Sequence, residues 1–301
     1  AARHVPLCWS HGAMRRPLPK DQRVAFVRAT TSCACDEVAN RHAALLQAPY
    51  DLDNGPLLRV AVQPTDGGNT ALVLAAHHVA CDHASFSILL RDILAALAGR
   101  LPQGPAPDYP SVFRALFSAP QPDSVSYWQD LDLPAPAPIL TRRDESDGPD
   151  GRYLRAEMLL PRAQLRAGRG TPLAAQALAA AGIAIAPFLA GTRVDMGLIS
   201  GREGHAADDV FGCLINTLPV SVPVDMGETV GQIAGHAKHA VAQVLPHRHV
   251  PLSTISALRH AAGHSFAPPR FLVSVVEAAG IDHDATPVRE EYVHAEGGWR
   301  P

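Results

Sequence analysis

The sequence predicts an α/β fold of the α+β sandwich type, and three features of its 301 residues support this. Strand-like apolar runs and helix-like apolar repeats alternate loosely along the chain. Hydrophobic residues make up 47% of the sequence and charged residues 18%, which is typical of a folded globular protein. The length is sufficient for a sizeable core, in one large domain or two ordinary ones.

Residues 58–76 are predicted to form a β-hairpin. Residues 58–62 and 70–76 are apolar runs, and residues 65–68 between them, Thr-Asp-Gly-Gly, favour a tight turn. The second run is apolar at nearly every position, so we expect both faces of that strand to be buried. A helix is predicted next, because apolar residues within 86–97 recur every three or four positions, and Asp82 or Ser85 is a suitable N-cap.

A linker is predicted at residues 134–150, where proline, glycine and charged residues dominate. It separates an N-terminal lobe, residues 1–133, from a C-terminal lobe, residues 151–301. Both ends of the chain look unlike natural ends, so we expect the chain to be incomplete there. In the second lobe we expect strands at 153–160, 193–199, 214–222 and 271–276, and helices at about 173–186 and 230–244.

Composition argues against several functional classes. The net charge of −3, without a basic stripe, argues against a nucleic-acid partner. Residues 171–192 carry no charge and are long enough to span a membrane. Interruptions by Gln176, Gly182 and Pro187 favour instead a helix buried in a protein that does not enter the membrane. Five cysteines form an odd number and no dense disulfide framework, so we expect a cytoplasmic protein.

The residues most capable of chemistry are concentrated at positions 77–83, His-His-Val-Ala-Cys-Asp-His. A zinc site would normally add a second group of ligands elsewhere in the chain. Residues 33–35 (Cys-Ala-Cys) and 247–249 (His-Arg-His) have no recognised ligand spacing, so no metal is predicted.

Nucleophilic catalysis is also disfavoured. Residues 263–267, Gly-His-Ser-Phe-Ala, resemble the nucleophile elbow of acyl hydrolases, but a helical pattern precedes them and a strand pattern follows, the reverse of what the elbow requires. A dyad of Cys81 and His78 has no identifiable supporting residues, and a small buried cysteine is the commoner case.

General base catalysis by a histidine is the remaining chemical hypothesis. A neutral imidazole accepts a proton near neutral pH, and the end of a buried strand holds it rigidly. The simpler alternative is that His77 and His78 are ordinary polar residues at a strand end, with Asp82 as a helix cap only.

Residues 77–83 resemble the HHxxxDG motif of the condensation domains of nonribosomal peptide synthetases, which are related to chloramphenicol acetyltransferase. Other segments resemble the family in the same order along the chain. These are residues 48–62 (APYDLDNGPLLRVAV), 124–134, 196–203, 210–222 (VFGCLINTLPVSV) and 247–255 (HRHVPLSTI), with residues 3–10 as a degraded early Arg-His motif.

The resemblance implies two chloramphenicol-acetyltransferase-like lobes in a V with a central tunnel, forming a monomeric unit. Carrier-protein domains would dock at opposite mouths and deliver thioesters on phosphopantetheine arms, with no cofactor bound by the chain itself. The implied reaction is attack of an acceptor amine on the donor thioester, which forms an amide bond.

The resemblance also implies roles for individual residues. His78 is the implied catalytic residue, which deprotonates or orients the amine. His77 is implied to support its loop through a backbone hydrogen bond, and Asp82 to pair with Arg202 across the lobes. Asn216 is implied to line the substrate tunnel, with a purely structural role as an equal alternative.

His83 departs from the family motif, which has glycine at this position. An imidazole there would lie in the substrate tunnel, where it could narrow the path of a pantetheine arm or accept a second proton. Two hypotheses therefore remain. Retention of both preceding histidines and Asp82 favours an acyltransferase with His78 as base, whereas His83 favours a catalytically altered domain that docks carrier proteins or tailoring enzymes.

Overall fold

The computed structural model describes residues 7–10, 13–17, 24–100, 108–117, 120–133, 156, 158, 170–202 and 209–276. These residues form two compact units. The first contains the described residues up to Tyr109 together with residues 209–214, and the second contains those from 110 to 202 and from 215 to 276. Each unit combines a β-sheet with helices, which confirms the predicted α+β class.

The first unit contains a three-stranded mixed sheet in the order β3-β4-β5. Its strands are β3 (Val24–Arg28), β4 (Leu58–Pro64) and β5 (Thr70–Ala76), preceded by an antiparallel hairpin of β1 (Leu7–Ser10) and β2 (Ala13–Pro17). Strand β4 pairs parallel with β3 and antiparallel with β5. The turn between β4 and β5 uses Gly67 and Gly68 at φ of 88° and 84°, a backbone region that favours glycine.

The helices of this unit are α1 (Val38–Arg41), α2 (Ala43–Gln47) and α3 (His83–Leu97). Of helix α4 (Tyr109–Leu116), only Tyr109 belongs to the first unit, and the rest belongs to the second. Helix α3 packs its apolar stripe against the sheet, because Leu89 lies in one buried cluster with Leu58, Cys81 and Phe211. The same cluster fixes the residues between β5 and α3.

The second unit contains a sheet in the order β7-β6-β8. Its elements are α5 (Pro122–Asp130), α6 (Leu173–Ile185), β6 (Arg193–Ser200), β7 (Asn216–Pro223), α7 (Val230–Val244), α8 (Leu252–Ala261) and β8 (Leu272–Val273). Strand β6 pairs antiparallel with β7 and parallel with β8. Alternate residues of β6 and β7, such as Met196 and Leu218, enter one core with α6 and α7, as the period of two in a strand requires.

Several predicted boundaries differ from the observed ones. Strand β7 begins at Asn216 rather than at residue 214, because the N–H of Leu214 bonds to a side chain instead of a strand. Strand β8 covers only two of the residues in 271–276, since it pairs with β6 only at Gly197 and Leu198. The predicted strand at 153–160 and the linker at 134–150 lie outside the described residues.

The two lobes predicted from sequence, residues 1–133 and 151–301, stay a prediction, because the linker between them lies outside the described residues. Helix α5 belongs to the second unit, because its Trp128 is fully buried in that unit's core. Helix α6 is buried along Ala175, Leu178 and Ala179, as predicted for residues 173–186. In the part of the chain that the structure describes, no helix is both long and apolar enough to cross a membrane.

Candidate active site

A compact turn carries the histidine pair from β5 to α3. The backbone N–H of His77 donates to the carbonyl of Leu57 at 3.1 Å, which continues the pairing of β4 and β5 beyond Ala76. The N–H of Ala80 then donates to the carbonyl of His77 at 2.9 Å. The turn is therefore fixed by backbone hydrogen bonds on both sides of His78.

The ring of His77 is held by the backbone two residues ahead. The N–H of Val79 donates to Nδ1 of His77 at 3.2 Å, while the supporting role of His77 for the loop stays a prediction. Because Nδ1 accepts this bond, the neutral ring carries its hydrogen on Nε2. Burial, and secondly the neighbouring His78, lower the pKa of His77, which favours this neutral form.

His78, by contrast, is exposed. Within the described part of the chain, its ring forms no hydrogen bond, so its nitrogens are available to a ligand. An exposed imidazole on a backbone-fixed turn has the chemistry and the rigidity that a general base requires.

Asp82 caps α3 at its N-terminus. Its Oδ1 accepts hydrogen bonds from the N–H and from the hydroxyl of Ser85, each at 3.0 Å. The hydroxyl of Ser85 in turn accepts from the N–H of Asp82, which completes a capping box. Asp82, rather than Ser85, is thus the N-cap residue.

The same two side chains hold a segment that is distant in sequence. Oδ2 of Asp82 accepts from the N–H of Leu214 at 3.0 Å. The hydroxyl of Ser85 lies 3.0 Å from the carbonyl of Gly212 and accepts from its N–H at 3.1 Å. Asp82 is only 3% exposed and Ser85 0%, so these bonds satisfy polar groups that water does not reach. The pairing of Asp82 with Arg202 stays a prediction.

Tyr109 covers this segment. Its hydroxyl donates to the carbonyl of Cys213 at 2.8 Å. A Cβ atom added to Gly212 would overlap the ring of Tyr109, so only glycine fits there. Tyr109 and Gly212 were not predicted as supporting residues, because no local pattern joins residues so far apart in sequence. The reciprocal cap of Ser85, in contrast, follows from its position three residues after Asp82.

Both the nitrogen and the oxygen of the Asn216 side-chain amide form hydrogen bonds within the second unit. Its amide nitrogen donates to the carbonyls of Arg248 and Val250 at 2.8 and 2.7 Å. Its oxygen accepts from the N–H groups of Thr217 and Leu252 at 2.9 and 3.2 Å. These contacts favour the structural alternative for Asn216, while its place along a tunnel stays a prediction.

The remaining predicted residues take the following positions. His83 is the first residue of α3 and is partly buried, and Arg202 is partly buried two residues after β6. Cys81 is only 2% exposed, in agreement with a structural cysteine. Among the described residues, no group of three or more His, Cys, Asp or Glu side chains could hold a metal ion.

Comparison with known sequences places these features in a family. A family model named Condensation domain matches residues 26–272. Fusarin C synthetase of Gibberella fujikuroi is 22% identical over 227 residues, which cover 71% of this chain and 6% of that protein. Phosphinothricin tripeptide synthetase PhsC of Streptomyces viridochromogenes is 27% identical over 266 residues, covering 80% of this chain and 23% of that protein. The chain thus spans only a small part of the length of these relatives.

Solved structures show the same fold. The epimerization domain from the third module of tyrocidine synthetase B aligns with a TM-score of 0.67 at 16% identity, over 91% of this chain and 69% of that one. The first condensation domain of the calcium-dependent antibiotic synthetase, in complex with a substrate analogue, gives 0.64 at 18% identity, over 90% and 68%. Since the family model covers most of the sequence, including the turn with His78 and the strand that Asn216 begins, the chain belongs to the condensation-domain family.

Proposed function

We propose that this protein is a condensation-type acyltransferase, which joins a carrier-protein-bound acyl or peptidyl thioester to an acceptor amine in nonribosomal peptide synthesis. The observation that carries the proposal is the contrast between two adjacent histidines. The ring of His77 is held by the N–H of Val79, whereas the ring of His78 is exposed on the same fixed turn. Only the second ring is available to accept a proton from a substrate.

In the proposed reaction, the amine nitrogen attacks the thioester carbonyl carbon, a C–N bond forms and the C–S bond breaks. His78 takes the proton that the amine loses and returns it to the departing thiolate of the phosphopantetheine arm. The products are an amide and a free thiol, and no acyl-enzyme forms. Delivery of both substrates on tethered arms provides much of the rate, since well-oriented groups reach effective molarities of roughly 10⁵–10⁸ M.

A docking module is the second candidate, favoured by His83 at the position where the family has glycine. The X-domain in complex with OxyB, a solved structure from teicoplanin biosynthesis, has a TM-score of 0.61 to this chain at 18% identity, over 86% of this chain and 63% of that one. A domain of this second kind would bind a carrier protein or a tailoring enzyme without forming the amide.

The test is amide formation from two loaded carrier proteins, followed by mass spectrometry. We expect His78→Ala to lower turnover by about 10²–10⁴-fold, the usual contribution of a general base. The matched control is His239→Ala, because His239 is also an exposed histidine and lies on α7. Turnover that His78→Ala leaves unchanged would exclude His78 as the base. Carrier-protein binding without product, in the wild type and in His83→Gly alike, would establish the docking module instead.

A further inference from the structure

Arg59 is a buried cation on β4, the strand that pairs with β5, and β5 leads directly into the turn with the two histidines. It lies on β4 opposite Ala75 of β5, two residues before His77. Its guanidinium donates to three backbone carbonyls, those of Leu45 at 2.8 Å, Ala48 at 2.6 Å and Pro49 at 2.7 Å. Because the planar guanidinium offers several donors in a fixed geometry, these bonds fix the chain that leads from α2 to Tyr50.

Tyr50 packs against this guanidinium and against the first histidine of the pair. The central carbon of the Arg59 guanidinium lies 3.7 Å from the centroid of the Tyr50 ring, within the range of a cation–π contact. The rings of Tyr50 and His77 have centroids 5.6 Å apart and planes at 69°, an edge-to-face pair. Tyr50 therefore packs between Arg59, which is fixed by its hydrogen bonds, and the ring of His77, and so restricts the movement of that ring.

The Tyr50 ring and the N–H of Val79 therefore both contact the ring of His77. If the ring rotated, Nδ1 would move away from Val79, and the turn that carries His78 would lose one of its hydrogen bonds. We propose that Tyr50 and Arg59 are positioning residues for His78, which act through the ring of His77 and touch no substrate. The proposal rests on His78 as the catalytic residue.

The variants Tyr50→Phe and Tyr50→Leu distinguish the contribution of the aromatic ring from that of the hydroxyl group. Tyr50→Phe keeps the stack between Arg59 and His77, so we expect wild-type kcat. Tyr50→Leu removes the ring and should lower kcat about 10-fold or more at unchanged KM, because a misplaced catalytic group affects the chemical step most strongly. Both variants are first checked for folding by circular dichroism and thermal unfolding.

An NMR measurement does not depend on turnover. The ¹⁵N shifts of the His77 ring should report one tautomer, with hydrogen on Nε2, in the wild type and Tyr50→Phe, and a mixture of tautomers in Tyr50→Leu. A folded Tyr50→Leu variant with the wild-type tautomer would overturn the proposal. If His78→Ala leaves turnover unchanged while Tyr50→Leu mixes the tautomers, the positioning of His77 holds and the catalytic role of His78 fails, so the two ideas are separable.

Discussion

The carboxylate of Asp82 accepts a hydrogen bond from the backbone N–H of Leu214 at 3.0 Å, across 132 positions of the sequence. The same carboxylate caps α3 through the N–H of Ser85. One buried side chain thus fixes both the start of the helix that follows the histidine turn and a distant loop. Both oxygens of Asp82 are thus engaged with Ser85 and Leu214, and a purely structural role for Asp82 stays a prediction.

Asp82→Ala is expected to destabilise the protein strongly. The change removes an N-cap, which costs about 1 kcal/mol, and leaves the buried N–H of Leu214 unpaired, which costs about 1–3 kcal/mol. The free energy of unfolding in urea, followed by circular dichroism, should fall by the sum of these contributions. Asp82→Asn keeps one acceptor oxygen and should fall less. An unchanged urea midpoint for Asp82→Ala would show that neither bond matters.

Gly212→Ala is expected to lower the free energy of unfolding by about 1–3 kcal/mol, because the added methyl group would overlap the ring of Tyr109. The matched control is Gly235→Ala on α7, where a Cβ would meet no atom within 4 Å. This control should stabilise the protein by roughly 0.5–1 kcal/mol through helix propensity. If both variants shift thermal unfolding in the same direction, the proximity of Tyr109 is not what restricts position 212.

The sequence predicted correctly those strands and helices whose bounds depend on neighbouring residues in the chain. Strand β5 (Thr70–Ala76) and helix α7 (Val230–Val244) have the predicted bounds. The Gly-Gly turn directly precedes β5, and the apolar period of three to four residues lies within α7. The turn with the candidate base follows directly from the end of β5.

Contacts between residues that are far apart in the sequence could not be predicted from such local patterns. The acceptor of the Leu214 N–H is a side chain far away in sequence, so an apolar run that looked like strand from residue 214 begins to pair only at Asn216. The Tyr50–His77 pair likewise depends on where Arg59 anchors the chain after α2. Only the folded backbone brings these residues together.

Asn216→Ala distinguishes a structural role from a tunnel role. The variant would leave two carbonyls and two N–H groups without their side-chain partner, so the free energy of unfolding should fall by about 2–4 kcal/mol. The neighbouring Thr217→Ala serves as a control, because only the backbone N–H of Thr217 bonds to Asn216. Full stability of Asn216→Ala with altered turnover would favour the tunnel role instead.

Acidification should destabilise the protein through protonation of His247, which lies in the second unit. Its Nδ1 lies 2.9 Å from the hydroxyl of Ser124, and its ring stacks on Tyr127 at 4.1 Å. Burial, followed by nearby His249, lowers the pKa of His247 below 6.5, although Asp123 acts in the opposite direction. Because the unfolded chain then binds protons more readily, stability is full above about pH 6.5 and declines as the pH falls towards the folded-state pKa.

The check for His247 is urea unfolding between pH 5 and pH 8. His247→Gln should show a smaller decline below pH 6.5 than the wild type, and His77, whose pKa is also lowered, supplies part of the decline that remains. His239→Gln replaces an exposed histidine and is the control. Equal slopes for His247→Gln and the wild type would contradict the assignment.

Asp195 on β6 should have the opposite pH dependence. Among the described residues, its buried Oδ1 has no hydrogen-bond partner. Burial raises its pKa above 3.8, against opposing contributions from the hydrogen bond of Ser221 and the charge of Arg193. Since the folded state holds this proton more tightly than the unfolded state, stability is lost as the pH rises from about 4 through the raised pKa.

Asp195→Asn removes this ionisation. At pH 7 the variant should exceed the wild type by about 1 kcal/mol in free energy of unfolding, because a carboxylate with an unpaired buried oxygen is replaced by a neutral amide. At pH 3 the carboxyl of the wild type is protonated in both states, so the difference should largely disappear. Asp53→Asn, at an exposed aspartate of the first unit, is the control that should stay close to the wild type at both pH values. A variant less stable than the wild type at pH 7 would mean that the favourable effects of Ser221 and of the nearby Arg193 charge on the Asp195 carboxylate outweigh the cost of its burial.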